Sequence, residues 1–217
     1  MNDDGRDCCP EGELVMARPI YVRFDVPAEL AAKSIEALEL AHNGKLRNNT
    51  VVATVMSNYG FELALQRHNI TLKRTPVGDR YVVDEMLVSG ATLGGEQSGH
   101  VVFLDYNTTG DGLITGLKLL ATMVRSGRKL SSLAAEMERF PQVQLNVNVR
   151  STTELDRNIV IQNAISTAKS HFQRNGRIVV RASGTEPLIR VMVEGKDYSI
   201  INRLAKDLAE VIQAELG

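Results

Sequence analysis

The sequence predicts an α/β fold in which a mixed-sheet α/β domain is followed by a small two-layer α+β domain. From residue 50 to residue 127, short runs rich in β-branched residues alternate with amphipathic segments of helical period. This alternation favours a parallel or mixed sheet covered by helices. After Pro141 the order becomes strand, helix, strand, strand, helix, which is typical of a small two-layer domain. We therefore expect one domain at 45–141 and a second at 142–217.

The elements of the first domain follow in chain order. The segment 27–44 has apolar residues at helical spacing and stops at Asn43 and Gly44, a typical C-terminal cap. The predicted strands are 50–56, 70–77, 91–96 and 100–105, and the predicted helices are 57–69, 79–90 and 110–127. Residues 19–26 have the composition of a further strand, and the helical stretch at 130–140 is expected to end at Pro141, which breaks a helix.

The second domain begins with alternating apolar and polar residues at 143–150, the pattern of a half-exposed strand. A helix is predicted at 158–172 and two strands at 177–182 and 188–195. The closing helix, 199–216, places its apolar residues on one face. These residues are Ile201, Leu204, Leu208, Val211 and Ile212.

Charge and composition exclude several partners. The 217 residues include 25 Lys+Arg and 26 Asp+Glu, so the net charge of −1 provides no general attraction for nucleic acid or an anionic membrane. No apolar run approaches membrane-spanning length, and the acidic N-terminus lacks the pattern of a secretory signal. The only cysteines, Cys8 and Cys9, are adjacent and have no partners for a zinc site. We interpret them as reduced thiols in a cytoplasmic protein.

The loop ASGTEP joins the last two predicted strands and has the composition of a phosphate-binding loop. Its glycine permits a backbone conformation that other residues avoid, and its successive N–H groups can converge on one anion. Two hydroxyls and two flanking arginines add further donors. The candidate ligands are Arg181, Ser183, Gly184, Thr185 and Arg190. The alternative is a β-turn with two surface arginines.

The stretches TPVGDRY and LGGEQSGH also combine glycines with polar side chains. The second places a carboxylate, an amide and a hydroxyl together, a set that suits sugar hydroxyls. Its candidate ligands are Glu96, Ser98 and His100, although single residues of these types are more often structural. In the first, Gly78 lies where a strand passes into a helix, Asp79 is either a helix cap or a ligand, and Arg80 is the stronger ligand candidate. Asp111 is expected to cap the helix at 110–127.

Four stretches together carry a resemblance: VGDRY, GGEQSGH, TTGDG and RASGTEPLIR, in this order. From about Leu46 to Gly217, the chain resembles the C-terminal half of the bacterial phosphoglucosamine mutases, a family of the α-D-phosphohexomutase superfamily. The loop GGEQSGH favours this branch over the phosphomannomutase/phosphoglucomutase branch, whose loop is of the GEMSGH type.

The resemblance implies the third and fourth domains of a four-domain enzyme built around a cleft. It implies an isomerase that interconverts glucosamine 6-phosphate and glucosamine 1-phosphate through a bound bisphosphate, in the synthesis of amino-sugar nucleotides and peptidoglycan precursors. The first domain would then bind the sugar through Glu96, Ser98, His100, Gly78, Asp79 and Arg80. The second would bind the phosphate that is not reacting, through Arg181, Ser183, Gly184, Thr185 and Arg190.

Two catalytic parts of the family are not recognisable here. Family members carry the phosphoryl group on a serine in a Ser-His-Asn stretch, which this sequence lacks. Their Mg²⁺ loop, Asp-x-Asp-Gly-Asp-Arg, is altered to NDDGRD at 2–7, so we interpret 1–44 as a divergent remnant of the metal-loop domain. Phosphoryl transfer depends on positioning and on charge neutralisation, to which Mg²⁺ contributes much. We therefore expect no catalytic residue or metal ligand in this chain, Mg²⁺ only in the complete enzyme, and no turnover by the chain alone.

Three functions stay open from the sequence. The chain is part of a phosphoglucosamine mutase that acts with the missing N-terminal domains or as a homo-oligomer, a non-catalytic phosphosugar-binding fragment, or a fragment without a ligand. Specificity of the phosphomannomutase/phosphoglucomutase type is a further alternative. Substitution of Arg181 is expected to weaken phosphosugar binding, whereas Gln142, which lies outside every motif, is expected to tolerate alanine.

Overall fold

The structure is a computed structural model and describes residues 28–172, 176–184 and 186–217. The strand expected at 19–26, the altered metal loop at 2–7, and Cys8 and Cys9 lie outside the described residues. Within the part of the chain that the structure describes, no helix combines the length and the apolar character needed to cross a bilayer.

The first domain contains nine elements and a short 3₁₀ helix at Arg47–Asn49. The helices are α1 (Ala28–His42), α2 (Tyr59–Arg67), α3 (Asp79–Ser89), α4 (Gly112–Ser126) and α5 (Leu130–Ala134), and the strands are β1 (Thr50–Thr54), β2 (Thr71–Thr75), β3 (Leu93–Gly95) and β4 (Val101–Phe103). The elements expected between 50 and 127 are all present, with ends that differ by at most two residues.

Local capping explains where these helices begin and end. The Asn58 side chain accepts a hydrogen bond from the Gly60 N–H at the start of α2. Asp111 caps α4 by accepting from two backbone N–H groups, which confirms its expected role. Gly90 and Gly127 end α3 and α4 in the left-handed conformation, as the sequence predicts.

The four strands form a mixed sheet in the order β2-β1-β3-β4. β1 is parallel to both β2 and β3, and β4 is antiparallel to β3. The chain therefore adds β2 along one edge of β1 and later returns to add β3 along the other edge of β1. In such sheets, ligands bind in the crevice outside the carboxyl ends of the strands, at this switch point. The loops that begin there start at Val55, Pro76 and Glu96.

β1 is buried throughout, because helices cover both faces of this sheet. Val51 and Ala53 lie in one core cluster with residues of α1 and α2, including Phe61. Val52 lies in a second cluster with Met86 of α3, on the opposite face. The alternation follows from the two-residue period of a strand, and the domain has an α/β/α arrangement.

The second domain contains β5 (Gln142–Asn148), α6 (Ile159–Ser170), β6 (Gly176–Ala182), β7 (Leu188–Gly195) and α7 (Tyr198–Leu216). Its antiparallel sheet has the order β5-β7-β6, and α6 and α7 pack on one face of it. The core on that face contains Ile189, Val191 and Val193 of β7. The alternate residues Arg190 and Glu194 therefore lie on the other face. The predicted two-layer α+β domain is confirmed.

Two boundaries differ from the sequence prediction. Helix α1 was expected within a separate segment, 1–44, but it buries Ala32 and Ala37 in the core of the first domain. The first domain therefore includes α1, because this helix covers one face of the sheet. The helical stretch at 130–140 ends at Ala134, well before Pro141. The intervening chain is held against α2, since the Asn58 side chain donates to Phe140 O at 2.9 Å and accepts from Phe140 N at 3.0 Å.

Glu36 makes the stability of this domain depend on pH. It is 1% exposed on α1, and its Oε1 accepts a hydrogen bond from Thr122 Oγ1 at 3.1 Å. Burial raises the pKa of the Glu36 carboxyl, and the hydrogen bond from Thr122 opposes this only in part. Because the folded-state pKa exceeds the unfolded value, the carboxyl favours the folded state below its unfolded pKa. That contribution is lost as the pH rises through the folded pKa.

Replacing Glu36 with glutamine is expected to remove the loss of stability at high pH, because the amide does not ionise. The amide oxygen can still accept a hydrogen bond from Thr122. We expect Glu36→Gln to raise the free energy of unfolding at pH 7 and to have little effect at pH 4. Urea denaturation of both proteins at the two pH values measures the difference. The same difference at both pH values would contradict the assignment.

Candidate functional site

The residues of the predicted sugar-recognition loop, 96–100, lie at the carboxyl edge of the first sheet beside the start of α3. The Glu96 carboxylate accepts from Gly78 N at 2.7 Å and from Ser98 Oγ at 3.2 Å. His100 Nδ1 lies 2.7 Å from Asp79 Oδ2. The structure therefore brings together Gly78, Asp79, Glu96, Ser98 and His100 from two loops. Asp79 does not cap α3, so the cap hypothesis for it is wrong.

Gly95 is required where this loop begins. Its φ of +155° is in a region that favours glycine, and an added Cβ would lie 2.2 Å from the backbone oxygen of His100. The close approach lets the Glu96 N–H donate to His100 O at 2.9 Å. A side chain at position 95 would force the two arms of the loop apart.

Lys33 on α1 contacts the predicted sugar-recognition loop, and this contact was not predicted from the sequence. It is 0% exposed, and its Nζ donates to the Glu96 carbonyl oxygen at 2.7 Å and to Ser57 Oγ at 3.4 Å. The one signal available was its position on α1, four residues before the buried Ala37 and hence on the same face. A lysine on an apolar helix face is unusual unless its ammonium group has partners.

Arg80 is separate from the cluster, although the sequence favoured it as a ligand. Its side chain is 89% exposed and lies 3.6 Å from Asp84 on the same helix. The physical reason is the helix geometry, because Arg80 follows Asp79 by one residue and so lies about 100° around α3. Sugar recognition by Arg80 therefore stays a prediction without support from its contacts.

The candidate phosphate-binding loop joins two paired strands that carry arginines opposite each other. Arg181 on β6 is directly opposite Arg190 on β7, an arrangement in which like charges repel. Burial lowers the pKa of Arg181, and the charge of Arg190 lowers it further. Within the described residues, the buried Nε atoms of both guanidinium groups have no hydrogen-bond partner. Arg190 Nη2 lies 3.4 Å from Glu186 Oε2, which offsets part of the charge. An anion in contact with the two guanidinium groups would offset the rest.

The rest of this loop is only partly as expected. Ser183 N donates to Leu188 O at 2.9 Å and closes the hairpin. Gly184 does not have a positive φ, so the expected need for an unusual backbone conformation is wrong. An added Cβ there would meet no atom within 4 Å, which leaves open space above the loop. Thr185 lies outside the described residues.

A cleft of about 720 Å³ connects the two domains at this loop. The second domain contributes Arg181, Ser183, Gly184 and Arg190. The first contributes residues at or beyond the carboxyl ends of β1 and β2, including Val55, Thr75, Val77 and Tyr81. Another cavity, of about 500 Å³, lies between α1, α4 and α5 and contains none of the predicted site residues. We take the cleft as the site because Arg181 and Arg190 belong to its lining.

Mg²⁺ does not fit the described residues. Asp79, Glu96 and His100 each offer a ligand atom, and these atoms lie within 4.8 Å of one another. However, Glu96 already accepts from Gly78 and Ser98, and Asp79 is paired with the imidazole of His100. The third ligand atom of the set is an imidazole nitrogen, whereas Mg²⁺ prefers oxygen ligands, usually one or two carboxylates with several waters. The expected remnant of the metal loop lies outside the described residues.

Comparisons with known proteins agree with this architecture. Residues 29–140 match the family model of phosphoglucomutase/phosphomannomutase alpha/beta/alpha domain III, and residues 145–211 match that of the C-terminal domain. The chain therefore belongs to the phosphoglucomutase/phosphomannomutase family and contains these two domains.

Among the curated relatives are phosphoglucosamine mutases. The one from Caldanaerobacter subterraneus subsp. tengcongensis is 51% identical over 188 residues, which are 85% of this chain and 42% of the relative. That from Symbiobacterium thermophilum is 52% identical over 183 residues, 84% of this chain and 41% of the relative. The chain thus spans less than half the length of these relatives.

Solved structures show the same fold at low identity. Aspergillus fumigatus N-acetylphosphoglucosamine mutase, in complex with GlcNAc-6P and magnesium, has a TM-score of 0.68 at 18% identity, covering 86% of this chain and 43% of the other. A phosphoglucomutase/phosphomannomutase family protein from Burkholderia thailandensis has a TM-score of 0.65 at 19% identity, covering 87% and 42%.

Proposed function

We propose that this chain is the sugar- and phosphate-binding half of a phosphoglucosamine mutase, which interconverts glucosamine 6-phosphate and glucosamine 1-phosphate. The observation that carries the proposal is the opposed pair Arg181 and Arg190, whose buried Nε atoms have no partner among the described residues. Their cleft is shared with the domain that holds the sugar-recognition loop. The identity of about 50% with phosphoglucosamine mutases supports this branch of the family.

The two loops divide the recognition of one ligand. The arginine pair suits a phosphate monoester, whose charge at neutral pH matches two guanidinium groups. The carboxylates of Glu96 and Asp79 suit the hydroxyl groups and the ammonium group of an amino sugar. In the isomerase reaction, the phosphate loop would bind whichever phosphate is not reacting, and the sugar loop would accept both orientations of the ring.

The phosphoryl transfer itself belongs to the complete enzyme in this proposal. A serine-bearing domain and an Mg²⁺ site, supplied by the N-terminal domains of the complete enzyme, would provide the nucleophile and the charge neutralisation. The chain's own residues would bind and orient the substrate. We place this function in the cytoplasm, as predicted above from the two adjacent cysteines.

The alternative is a non-catalytic phosphosugar-binding fragment. It predicts the same ligand and the same site. The two functions differ in whether turnover appears when a serine-bearing N-terminal half is supplied.

Calorimetric titration with four ligands tests the proposal: glucosamine 6-phosphate, glucose 6-phosphate, glucosamine and inorganic phosphate. We expect glucosamine 6-phosphate to bind at least about tenfold more tightly than either glucosamine or phosphate, because it contacts both loops. Preference for glucose 6-phosphate would move the chain to the phosphoglucomutase branch. Equal affinity for glucosamine 6-phosphate and inorganic phosphate would overturn the proposal, since it would exclude recognition of the sugar.

A further inference from the structure

Glu194 is a fully buried carboxylate at the junction of the two domains. It is 0% exposed, and its oxygens accept from Arg177 Nε at 2.5 Å, Gln142 Nε2 at 2.5 Å and Tyr59 N at 3.1 Å. Burial acts to raise the pKa of Glu194. All three contacting groups are hydrogen-bond donors, however, so the geometry fits the ionised carboxylate, which only accepts hydrogen bonds. A carboxylate so deeply buried is stable only with this full set of donors.

The contacts of Glu194 join the two domains. Tyr59 N belongs to the first turn of α2 in the first domain, where the helix dipole favours a negative charge. The guanidinium of Arg177, which binds Glu194, also donates from Nη2 to the Ser57 carbonyl oxygen at 2.6 Å. Ser57 lies just beyond β1, and its hydroxyl accepts from Lys33. The second domain is therefore fixed to the carboxyl edge of the first sheet.

Glu194 also determines the orientation of Gln142. Because the carboxylate accepts, the amide nitrogen of Gln142 must face it, and the amide oxygen is then directed away. That oxygen accepts from Gln97 Nε2 at 3.0 Å. Gln97 lies between Glu96 and Ser98 in the sugar-recognition loop. Gln142 thus links a buried charge of one domain to the sugar-recognition loop of the other. These contacts lead us to expect an effect of its replacement, in contrast to the neutral effect expected from the sequence.

The same strands carry this junction and the phosphate site. Arg177 on β6 is opposite Glu194 on β7. Four residues away in the direction of the loop that joins these antiparallel strands, Arg181 is opposite Arg190. Residues four apart share one face of a strand and lie about 13 Å apart. The first pair has complementary charges and contacts the first domain, whereas the second pair has equal charges and lines the cleft. The paired strands fix the distance between the domain junction and the arginine pair.

We propose that Glu194 and Gln142 are positioning residues, which hold the sugar-recognition loop at a set place relative to the phosphate-binding arginines. They act on the ligand through Gln97 and through the docking of β6 and β7. This inference rests on the proposed function, because it assigns them to the recognition of one ligand by two loops.

The test replaces Gln142 with methionine, which has a similar volume and cannot form either hydrogen bond. In the full chain, Gln142→Met is expected to raise the Kd of glucosamine 6-phosphate about tenfold and to change that of inorganic phosphate less than about twofold. Glu194→Gln is expected to act in the same direction, since its amide no longer fixes the orientation of Gln142. The matched control is Gln144→Met, at an exposed position two residues along the same strand, which should leave both constants unchanged.

The backbone amide signals of residues 96–100 provide a readout without ligand. Their NMR shifts should change in Gln142→Met and not in Gln144→Met. An equal loss of affinity for both ligands, or unchanged affinities together with unchanged amide signals, would overturn the inference. If the unchanged chain binds no glucosamine 6-phosphate, the proposed function fails, and the amide signals still test whether Gln142 positions the loop.

Discussion

Replacing Arg181 with alanine is expected to weaken the binding of glucosamine 6-phosphate by about 1.5–3 kcal/mol, or roughly 10- to 150-fold. The guanidinium would lose charge-assisted hydrogen bonds to the phosphate, among the strongest a protein offers. The same change should not destabilise the fold, because it removes a like-charge contact with Arg190 and a buried Nε without a partner in the described chain. Loss of binding without loss of stability distinguishes a ligand-binding residue from a structural one.

Titration calorimetry and urea denaturation of the same preparation measure both quantities. The matched control is Arg150→Ala, an exposed arginine of the same domain at the end of β5, which should change neither. If Arg181→Ala lowered stability and left binding intact, the arginine pair would be structural, and the phosphate site would have to lie elsewhere.

Replacing Gly95 with alanine is expected to lower the free energy of unfolding by about 2–4 kcal/mol. The new Cβ would lie 2.2 Å from the His100 carbonyl oxygen and 3.1 Å from the Lys33 side chain, at a φ of +155°. Backbone atoms on both arms of the loop would have to move. Because Glu96 and His100 lie on these arms, glucosamine 6-phosphate should bind no more tightly than inorganic phosphate, whose site in the second domain stays intact.

Gly116 provides the control for this substitution, with an effect of opposite sign. It lies within α4, and an added Cβ would meet no atom within 4 Å. Gly116→Ala should therefore raise the free energy of unfolding by about 0.5–1 kcal/mol, since alanine loses less backbone entropy in a helix. Thermal or urea denaturation measures both variants. A mild effect of Gly95→Ala would show that the loop adapts and that its geometry is not fixed.

The regular elements were predictable because their signals are local. Short apolar runs between helical segments located β1 to β4, and glycines at positions 90 and 127 marked the ends of two helices. The two candidate loops were also found, because glycines beside clustered polar side chains are unusual between strands. What the periodicity could not show was how the two loops are placed relative to each other, since they are about ninety positions apart along the chain.

The supporting residues were missed for the same physical reason. Lys33 and Glu194 are charged residues at 0% exposure, and composition alone predicts such residues at the surface. Their partners are distant in sequence, as Tyr59 is 135 positions from Glu194 and Glu96 is 63 positions from Lys33. Only the fold reveals these pairings. The exposure of Arg80 was also not predictable, because a motif gives residue types and not the direction in which a helix orients them.

A ³¹P NMR titration of glucosamine 6-phosphate with the chain, in parallel with Arg181→Ala, tests the central claim most directly. The account predicts that the phosphate resonance shifts and saturates with the unchanged chain, and that the variant needs at least about tenfold more protein for the same shift. A resonance that stays in place, or one that titrates equally with both proteins, would contradict it.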